Sequence, residues 1–440
     1  MDAAEGLVET TFYDRALETA DRAALEAYQL ARLRELLDTL LAQNPFYGPR
    51  LRAAGLARGS DLASLADLAR LPFTRKAELV TDQEEHPPYG TNLTFPLSAY
   101  TRLHQTSGTT GRPLRLLDTP ESWDWWLRCW GHVYRGATVG PDDRIFAAFS
   151  FGPFIGFWTA FEAGQKLGAL VIAGGGQTSE QRLQTLLDNE ATVLICTPTY
   201  ALRLAEVARE QGLDVSRSKI RATVHAGEPG ASIPSTKRRI EELWGARCYD
   251  HAGATEVGAF GYECQAQPGG IHVNEGEFVV EILDPTTQQP ADEGELVITH
   301  LGRVGTPVLR YRTGDRVRWQ PGACPCGRTF RRLEGGILGR VDDMLTVRGV
   351  NVFPSAIENL VRRFPAVDEF AVEVYQERAM DEMELQLEVT DTEPEALCEA
   401  VAREVSVALG FRPRVRAVPA GALPRFELKA RRVRDRRAET

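Results

Sequence analysis

The sequence predicts an α/β protein: a large N-terminal domain of βαβ units with a strand-rich, barrel-like subdomain, followed by a small mobile α+β domain at the C-terminus. Three patterns lead there. Between about residues 121 and 258, short β-rich runs (Thr192 to Cys196, Ala222 to His225, Arg247 to Asp250) alternate with helical patterns (Tyr200 to Gln211, Ser235 to Leu243), as parallel strands joined by crossover helices do. Beyond Gly276 the pattern reads as short strands of period two broken by turns, as in Glu277 to Leu283 and Glu295 to Thr299, which suggests an antiparallel or barrel-like subdomain. After Gly339-Arg340-Val341-Asp342 the pattern resets: a helix starts at Pro354-Ser355 and runs to Phe364, strands cover Phe370 to Tyr375 and Met383 to Val389, a helix covers Glu393 to Leu409, and a last strand Arg414 to Val418. The expected division is a large domain over 1–340, with its strand-rich part at about 262–338, and a small domain over 341–440.

The first hundred residues read as a helix over Arg22 to Leu41, then loops broken by Pro and Gly from Asn44 onward, a flank or lid rather than a catalytic centre. A chain of 440 residues exceeds one hydrophobic core. A net charge of -10 argues against nucleic acid and for a small-molecule partner. Met1 to Thr11 is acidic and lacks a signal-peptide pattern, which points to the cytoplasm. The run Ile145 to Phe161 is broken by Gly152-Pro153 and Gly156, so it reads as an aromatic pocket wall and not a membrane span. Only five of the 51 basic residues are lysines (Lys76, Lys166, Lys219, Lys237, Lys429), so a lysine inside a motif draws suspicion.

Thr106-Ser107-Gly108-Thr109-Thr110-Gly111-Arg112-Pro113 is the most informative stretch. Gly108 and Gly111 permit a tight turn that brings N–H groups toward an anion, the hydroxyls add donors, and Arg112 adds a fixed charge. This reads as a grip for a nucleotide triphosphate, with an ordinary Ser/Thr/Gly surface turn as the alternative. It is not a Walker loop, because no Gly-Lys pair occurs in the sequence.

Five further segments follow in order: Gly227-Glu228-Pro229, Gly253-Ala254-Thr255-Glu256, Tyr311-Arg312-Thr313-Gly314-Asp315, Gly339 to Asp343 running on to Arg348-Gly349 and Pro354, and Leu423-Pro424-Arg425-Phe426-Glu427-Leu428-Lys429-Ala430. With the Thr106 loop they resemble the adenylate-forming superfamily, and in particular its phenylacetate–coenzyme A ligase branch. Asn44-Pro45-Phe46-Tyr47 and Leu71-Pro72-Phe73-Thr74 are similar to that branch's N-terminal region, so the resemblance covers nearly the whole chain. It implies that ATP and a carboxylic acid give an acyl-adenylate and pyrophosphate, and that coenzyme A then displaces AMP.

The resemblance also implies roles. Glu256 holds magnesium on the triphosphate and Thr255 bonds the α-phosphate. Gly227, Glu228, Pro229, Asp250, His251 and Arg340 join the phosphate loop around the nucleotide, and Asp315 takes the ribose hydroxyls. Lys429 is the catalytic lysine, Asp342 the hinge, and the face near Arg348 and Gly349 serves the thiol step. Dimers are expected. The departures are Ala252 where an aromatic residue is usual, with His251 or Tyr249 as candidate substitutes, Arg112 for Lys, and Leu428 for Gly. The alternative for Lys429 is a solvated basic tail, since arginines surround it.

The acid pocket carried over from the family comprises Phe149, Phe151, Phe154, Phe157, Trp158, Ala226, Gly227, His251 and Ala252; its flat apolar walls favour an aryl or arylalkyl acid, although the same aromatics suit a plain core. Cys264, His272, Cys324 and Cys326 offer three thiolates and an imidazole, a closed tetrahedral set for structural zinc, the alternative being buried thiols beside an unrelated histidine. The other cysteines, Cys129, Cys196, Cys248 and Cys398, read as small core residues. Two rival functions remain: adenylation with transfer to an amine, nitrite or deazaflavin, and a silent nucleotide-binding regulator.

Overall fold

A computed structural model describes residues 12–106, 112–153, 155–340, 345–348, 350–377, 380–390, 393–426, 430 and 432–437. A β-hairpin, β1 (Arg102–Gln105) and β2 (Arg115–Asp118), precedes the main sheet. That sheet takes in β3 (Arg144–Ala147), β4 (Leu170–Ala173), β5 (Val193–Cys196), β6 (Ala222–His225), β7 (Arg247–Ala254), β8 (Gly258–Tyr262), β9 (Gly270–Val273), β10 (Phe278–Leu283), β11 (Glu293–His300), β12 (Tyr311–Gln320), β13 (Arg332–Glu334) and β14 (Gly339–Arg340). Their order is β10-β11-β12-β13-β9-β8-β7-β6-β5-β3-β4, with β14 beside β12.

The parallel part is β4, β3, β5, β6 and the first half of β7. Every residue of β5 and β6 is buried, as strands covered by helices on both faces must be, which is why they read as continuous apolar runs. The crossover helices Pro198–Glu210 and Pro234–Trp244 lie where the helical spacing put them. Strand β7 is longer than its sequence pattern indicates: His251 to Ala254 continue it, pairing antiparallel with β8. The strands expected as a barrel-like unit thus stay hydrogen-bonded to the parallel sheet through β7.

The helix Pro120–Gly136 begins at Thr119, whose hydroxyl accepts the Ser122 N–H, with proline in its first turn. It buries Trp123, Trp125, Trp126 and Trp130 in the main core, and Trp125 Nε1 donates to Glu277 at 2.7 Å. At the C-terminus β15 (Leu345–Val347) and β16 (Val350–Val352) form a hairpin. A four-stranded sheet follows, in the order β19 (Arg414–Val418), β18 (Met380–Val389), β17 (Val367–Glu377), β20 (Val433–Asp435). Helices Pro354–Val361 and Pro394–Leu409 cover it around Val372, Val374, Leu385, Leu387 and Val401. Strand β20 was not anticipated, because Val433 stands alone among arginines and offers no apolar period. No helix among the described residues is long and apolar enough to cross a membrane.

The N-terminal region is pinned to the far end of the sheet by Glu18, which is fully buried. It pairs with Arg328 and His132 and accepts the Tyr262 hydroxyl at 3.1 Å. Burial alone would raise its pKa, but the His132 hydrogen bond and charge and the Arg328 guanidinium outweigh it and hold the carboxyl at about 2 instead of 4.5. Because the folded value lies below the unfolded one, the stabilisation is complete above about pH 4.5 and is lost as pH falls through about 2. Glu18→Gln is expected to lower stability by about 3 kcal/mol at pH 7, and by progressively less as pH is lowered through that window. Denaturant midpoints measured from neutral pH down through about 4.5 toward about 2 check this.

Candidate active site at the carboxyl edge of the sheet

The Thr106 to Pro113 loop tips the β1–β2 hairpin. Its base is closed by Thr106 N–H on the Leu114 carbonyl and Leu114 N–H on Thr106 Oγ1, both 3.0 Å. Arg112 is exposed with Nε 3.5 Å from Glu84. Ser107, Gly108, Thr109, Thr110, Gly111, Phe154, Asp342, Gly349 and Lys429 lie outside the described residues.

The loops after β5 and β6 lie beyond the carboxyl ends of those parallel strands, where open α/β sheets place their ligands. Gly227 adopts φ +97, a conformation that favours glycine, so the chain leaves β6 sharply and Glu228 turns back onto the start of the helix after β5. There Thr199 N–H donates to Glu228 Oε1 at 3.0 Å. On the other oxygen the carboxylate accepts Ala430 N–H at 2.6 Å. Burial raises the Glu228 pKa against the pull of these donors.

Thr255 and Glu256 form the turn between β7 and β8. The buried Glu256 has Lys76 Nζ 3.0 Å away and a hydrogen bond from the Tyr311 hydroxyl, whose pKa is raised by burial and then by the Glu256 charge. Lys76 arrives on a segment stitched to the start of β12: Thr74 N–H donates to the Arg310 carbonyl, Arg312 N–H to the Thr74 carbonyl, and Thr74 Oγ1 to the Leu309 carbonyl at 2.8 Å. The first hundred residues, expected as a lid or flank, thus bring Lys76 against Glu256. Reading each segment for its own pattern missed Lys76; the scarcity of lysine in this chain was the signal that could have found it.

Asp315 sits on β12 opposite Arg340 of β14, with Arg340 Nη1 3.4 Å from Asp315 Oδ1 and 3.0 Å from the Thr313 carbonyl. On β7, side chains alternate between faces. Tyr249, hydrogen-bonded to Thr138, and His251, 4.5 Å from the Trp130 ring, face the helix Pro120–Gly136. Asp250 and Ala252 point the other way, where Asp250 Oδ2 would lie 3.0 Å from a Cβ added at Gly336. Neither Tyr249 nor His251 therefore takes the direction of the missing aromatic residue at Ala252. His251 donates Nδ1–H to the Gly261 carbonyl at 2.7 Å, and burial lowers its pKa to about 4, so it is neutral. Burial and then the nearby Glu263 push Asp250 up to about 7, so near neutrality it can both donate and accept.

The small domain reaches this edge through charge. Arg425 bridges Glu206 of the large domain at 3.1 Å and Glu388 of β18 at 2.7 Å. Arg432 pairs with Glu369 at 2.8 Å and reaches Thr199 Oγ1 at 3.4 Å. A buried Arg432 beside β20 departs from the solvated tail that the arginine run suggests. Arg348, at φ +52, is paired with Glu382 within the small domain.

After β3, Phe149 and Phe157 stack at 4.2 Å, Phe151 meets Phe149 edge-on at 5.0 Å, and Trp158 lies 4.5 Å from Phe151. Phe149 is buried while Phe151, Phe157 and Trp158 are half-buried, and Ala226, also half-buried, leaves β6 at the same edge of the sheet. Apart from that edge, Cys264, His272, Cys324 and Cys326 converge with their ligand atoms all within 4.8 Å of one another. Cys264 and Cys324 sulfurs are 3.5 Å apart, as are Cys326 Sγ and His272 Nε2, too long for a disulfide and close to the edges of a tetrahedron around a first-row metal. His272 Nδ1–H donates to the Phe330 carbonyl at 2.9 Å, leaving Nε2 as the ligand atom.

Comparison with known proteins shows the family. A model of the AMP-binding enzyme family matches residues 100–302, and one of the AMP-binding enzyme C-terminal domain matches 349–437. The phenylacetate–coenzyme A ligase of Thermus thermophilus is 33% identical over 97% of this chain and 99% of that protein. This chain belongs to the phenylacetate–coenzyme A ligase family. The same ligase from Pseudomonas putida is also 33% identical, over 96% of this chain and 98% of its own. Among solved family structures, 2-hydroxyisobutyryl-CoA ligase in the postadenylation state, in complex with R3-HIB-AMP, superposes with a TM-score of 0.92 at 30% identity, covering 98% of this chain and 93% of that one. In the thioesterification state, with 2-HIB-AMP and CoA, it gives 0.74 at 31% identity, over 97% and 93%. The domains here thus sit as in the postadenylation state.

Gly258, which ends the Thr255–Glu256 turn, has φ +120, and a Cβ there would lie 2.6 Å from Trp125 Cη2 and 2.9 Å from Phe278 Cζ. Gly258→Ala is expected to cost about 2–4 kcal/mol of stability, read as a lowered urea midpoint with unchanged m-value.

Proposed function

We propose that this protein activates an aryl or arylalkyl carboxylic acid with ATP, releasing pyrophosphate as the acyl-adenylate forms, and then transfers the acyl group to the coenzyme A thiol with release of AMP. The observation that carries this is the Ala430 N–H on Glu228: the chain position next to Lys429 is docked against the loop that follows β6. A Lys429 ammonium at that edge can stabilise the charge that develops between carboxylate and α-phosphate.

The remaining residues divide the substrates among them. Asp315, with Arg340 beside it, accepts the ribose hydroxyls through two carboxylate oxygens. Asp250, Gly227, Glu228 and Pro229 border the base. The phosphate loop from Thr106 to Arg112 and Lys76 take the triphosphate, and Thr255 donates to the α-phosphate. Glu256 is a hard oxygen donor that would hold magnesium, which would neutralise phosphate charge when bound. Asp342 serves as hinge, so that after adenylation the Arg348–Gly349 turn replaces Lys429 at the edge. The half-buried Phe151, Phe157 and Trp158, with Phe149, Phe154 and Ala226, offer the acid an apolar wall, and His251 and Ala252 would border it from the two faces of β7. Cys264, His272, Cys324 and Cys326 would hold a structural zinc with no open position for chemistry. The protein is taken to act as a cytoplasmic homodimer.

ATP–pyrophosphate exchange measured with a panel of aryl, arylalkyl and short branched acids is expected to show activity with the aromatic members; silence with every acid overturns the reading. Lys429→Ala is expected to abolish exchange yet leave thioester formation from a supplied acyl-adenylate nearly intact, and equal loss of both steps would refute that division. AMP formation that proceeds to thioester only when coenzyme A is present separates this reading from transfer to an amine, nitrite or deazaflavin. Metal analysis is expected to find about one zinc per chain, with its removal by chelator lowering Tm.

A further inference from the structure

Arg303 belongs to none of the motifs above, yet it joins two of them. It lies between β11 and β12, and both it and its partner Asp118 have side chains with no exposure at all. Nε and Nη2 donate to the two carboxylate oxygens of Asp118, each at 2.7 Å. The remaining nitrogen, Nη1, donates to the Thr255 carbonyl at 2.7 Å and approaches the Glu256 carbonyl at 3.5 Å, while the guanidinium lies 5.3 Å from the Trp126 ring centroid. Asp118 closes the β1–β2 hairpin opposite Arg102, the hairpin whose tip is the phosphate loop.

A fully buried ion pair is a poor stabiliser, since apolar residues of similar volume usually serve as well. What the pair supplies is geometry: a planar fork held on two sides fixes the carbonyls on its third side. With the Thr255 carbonyl held and the Glu256 carbonyl close by, the turn that brings Glu256 to Lys76 is tied to the hairpin strand that carries Asp118.

We propose that Arg303, anchored by Asp118, is a positioning residue for adenylation that fixes the Thr255–Glu256 turn relative to the β1–β2 hairpin. The inference rests on the ATP-dependent reading above. It differs from a structural role in predicting which half-reaction fails: displacing the turn by about 1 Å should slow adenylation by roughly 100-fold, whereas thiol attack on a preformed adenylate depends far less on Glu256.

The test compares the full-length parent with Arg303→Lys, which keeps charge but loses the fork, and Asp118→Asn, which keeps the shape but loses charge. Arg303→Lys is expected to lower the exchange kcat by about 10- to 100-fold and to raise the magnesium concentration at half-maximal rate, with thioester formation from a supplied acyl-adenylate within about threefold of the parent; Asp118→Asn shifts the same two readouts less. Should both single variants fail to fold, the paired change Arg303→Met with Asp118→Leu decides, because it removes the fork without leaving a buried charge. Folded variants with unchanged exchange and magnesium dependence, or with both half-reactions reduced equally, overturn the inference. A parent that shows no exchange with any acid overturns the ATP-dependent reading and this inference with it, whereas an active parent beside indifferent variants overturns this inference alone.

Discussion

The whole arrangement depends on a change of partner within one strand. The first half of β7 lies parallel to β6, and its second half lies antiparallel to β8. A parallel sheet buried on both faces can open to a ligand only beyond its strand ends. By continuing past its pairing with β6 as half of a hairpin, β7 carries Thr255 and Glu256 at the turn into β8. It also keeps the antiparallel strands, Asp315 of β12 among them, in one hydrogen-bonded surface with the parallel ones.

Charged and hydrogen-bonded contacts join the second lobe to the first. Arg425 and Arg432 each reach from the small domain to a residue of the large one, and Glu228 receives a backbone N–H from each side. Such contacts are directional and strong when aligned but leave little behind when broken.

Much of this was legible in the residues. The buried strands β5 and β6 announced themselves as uninterrupted apolar runs, the crossover helices by their spacing, and the Cys and His positions by their chemistry. The losses have physical causes. His251 to Ala254 look like a loop because glycine and alanine carry little strand propensity, and β20 is too short and too charged to show a period. Lys76 and Arg303 act through contacts with residues far away in sequence, and no local pattern encodes a partner 180 residues distant (Lys76 with Glu256) or 185 residues distant (Arg303 with Asp118). The direction of Tyr249 and His251 followed from strand alternation once β7 was known to extend, but not before.

The stitching of Thr74 to the start of β12 has a practical consequence for anyone who cuts or recombines such proteins. The AMP-binding match begins at residue 100, and a fragment or chimera designed from that boundary would leave out the strap that runs from Tyr47 to the helix at Lys76. It would keep every recognised signature of the nucleotide site while stripping the Glu256 carboxylate of its neighbouring cation and exposing the edge of β12 that Thr74 covers. The functional unit is thus wider than the segment that carries its recognisable motifs.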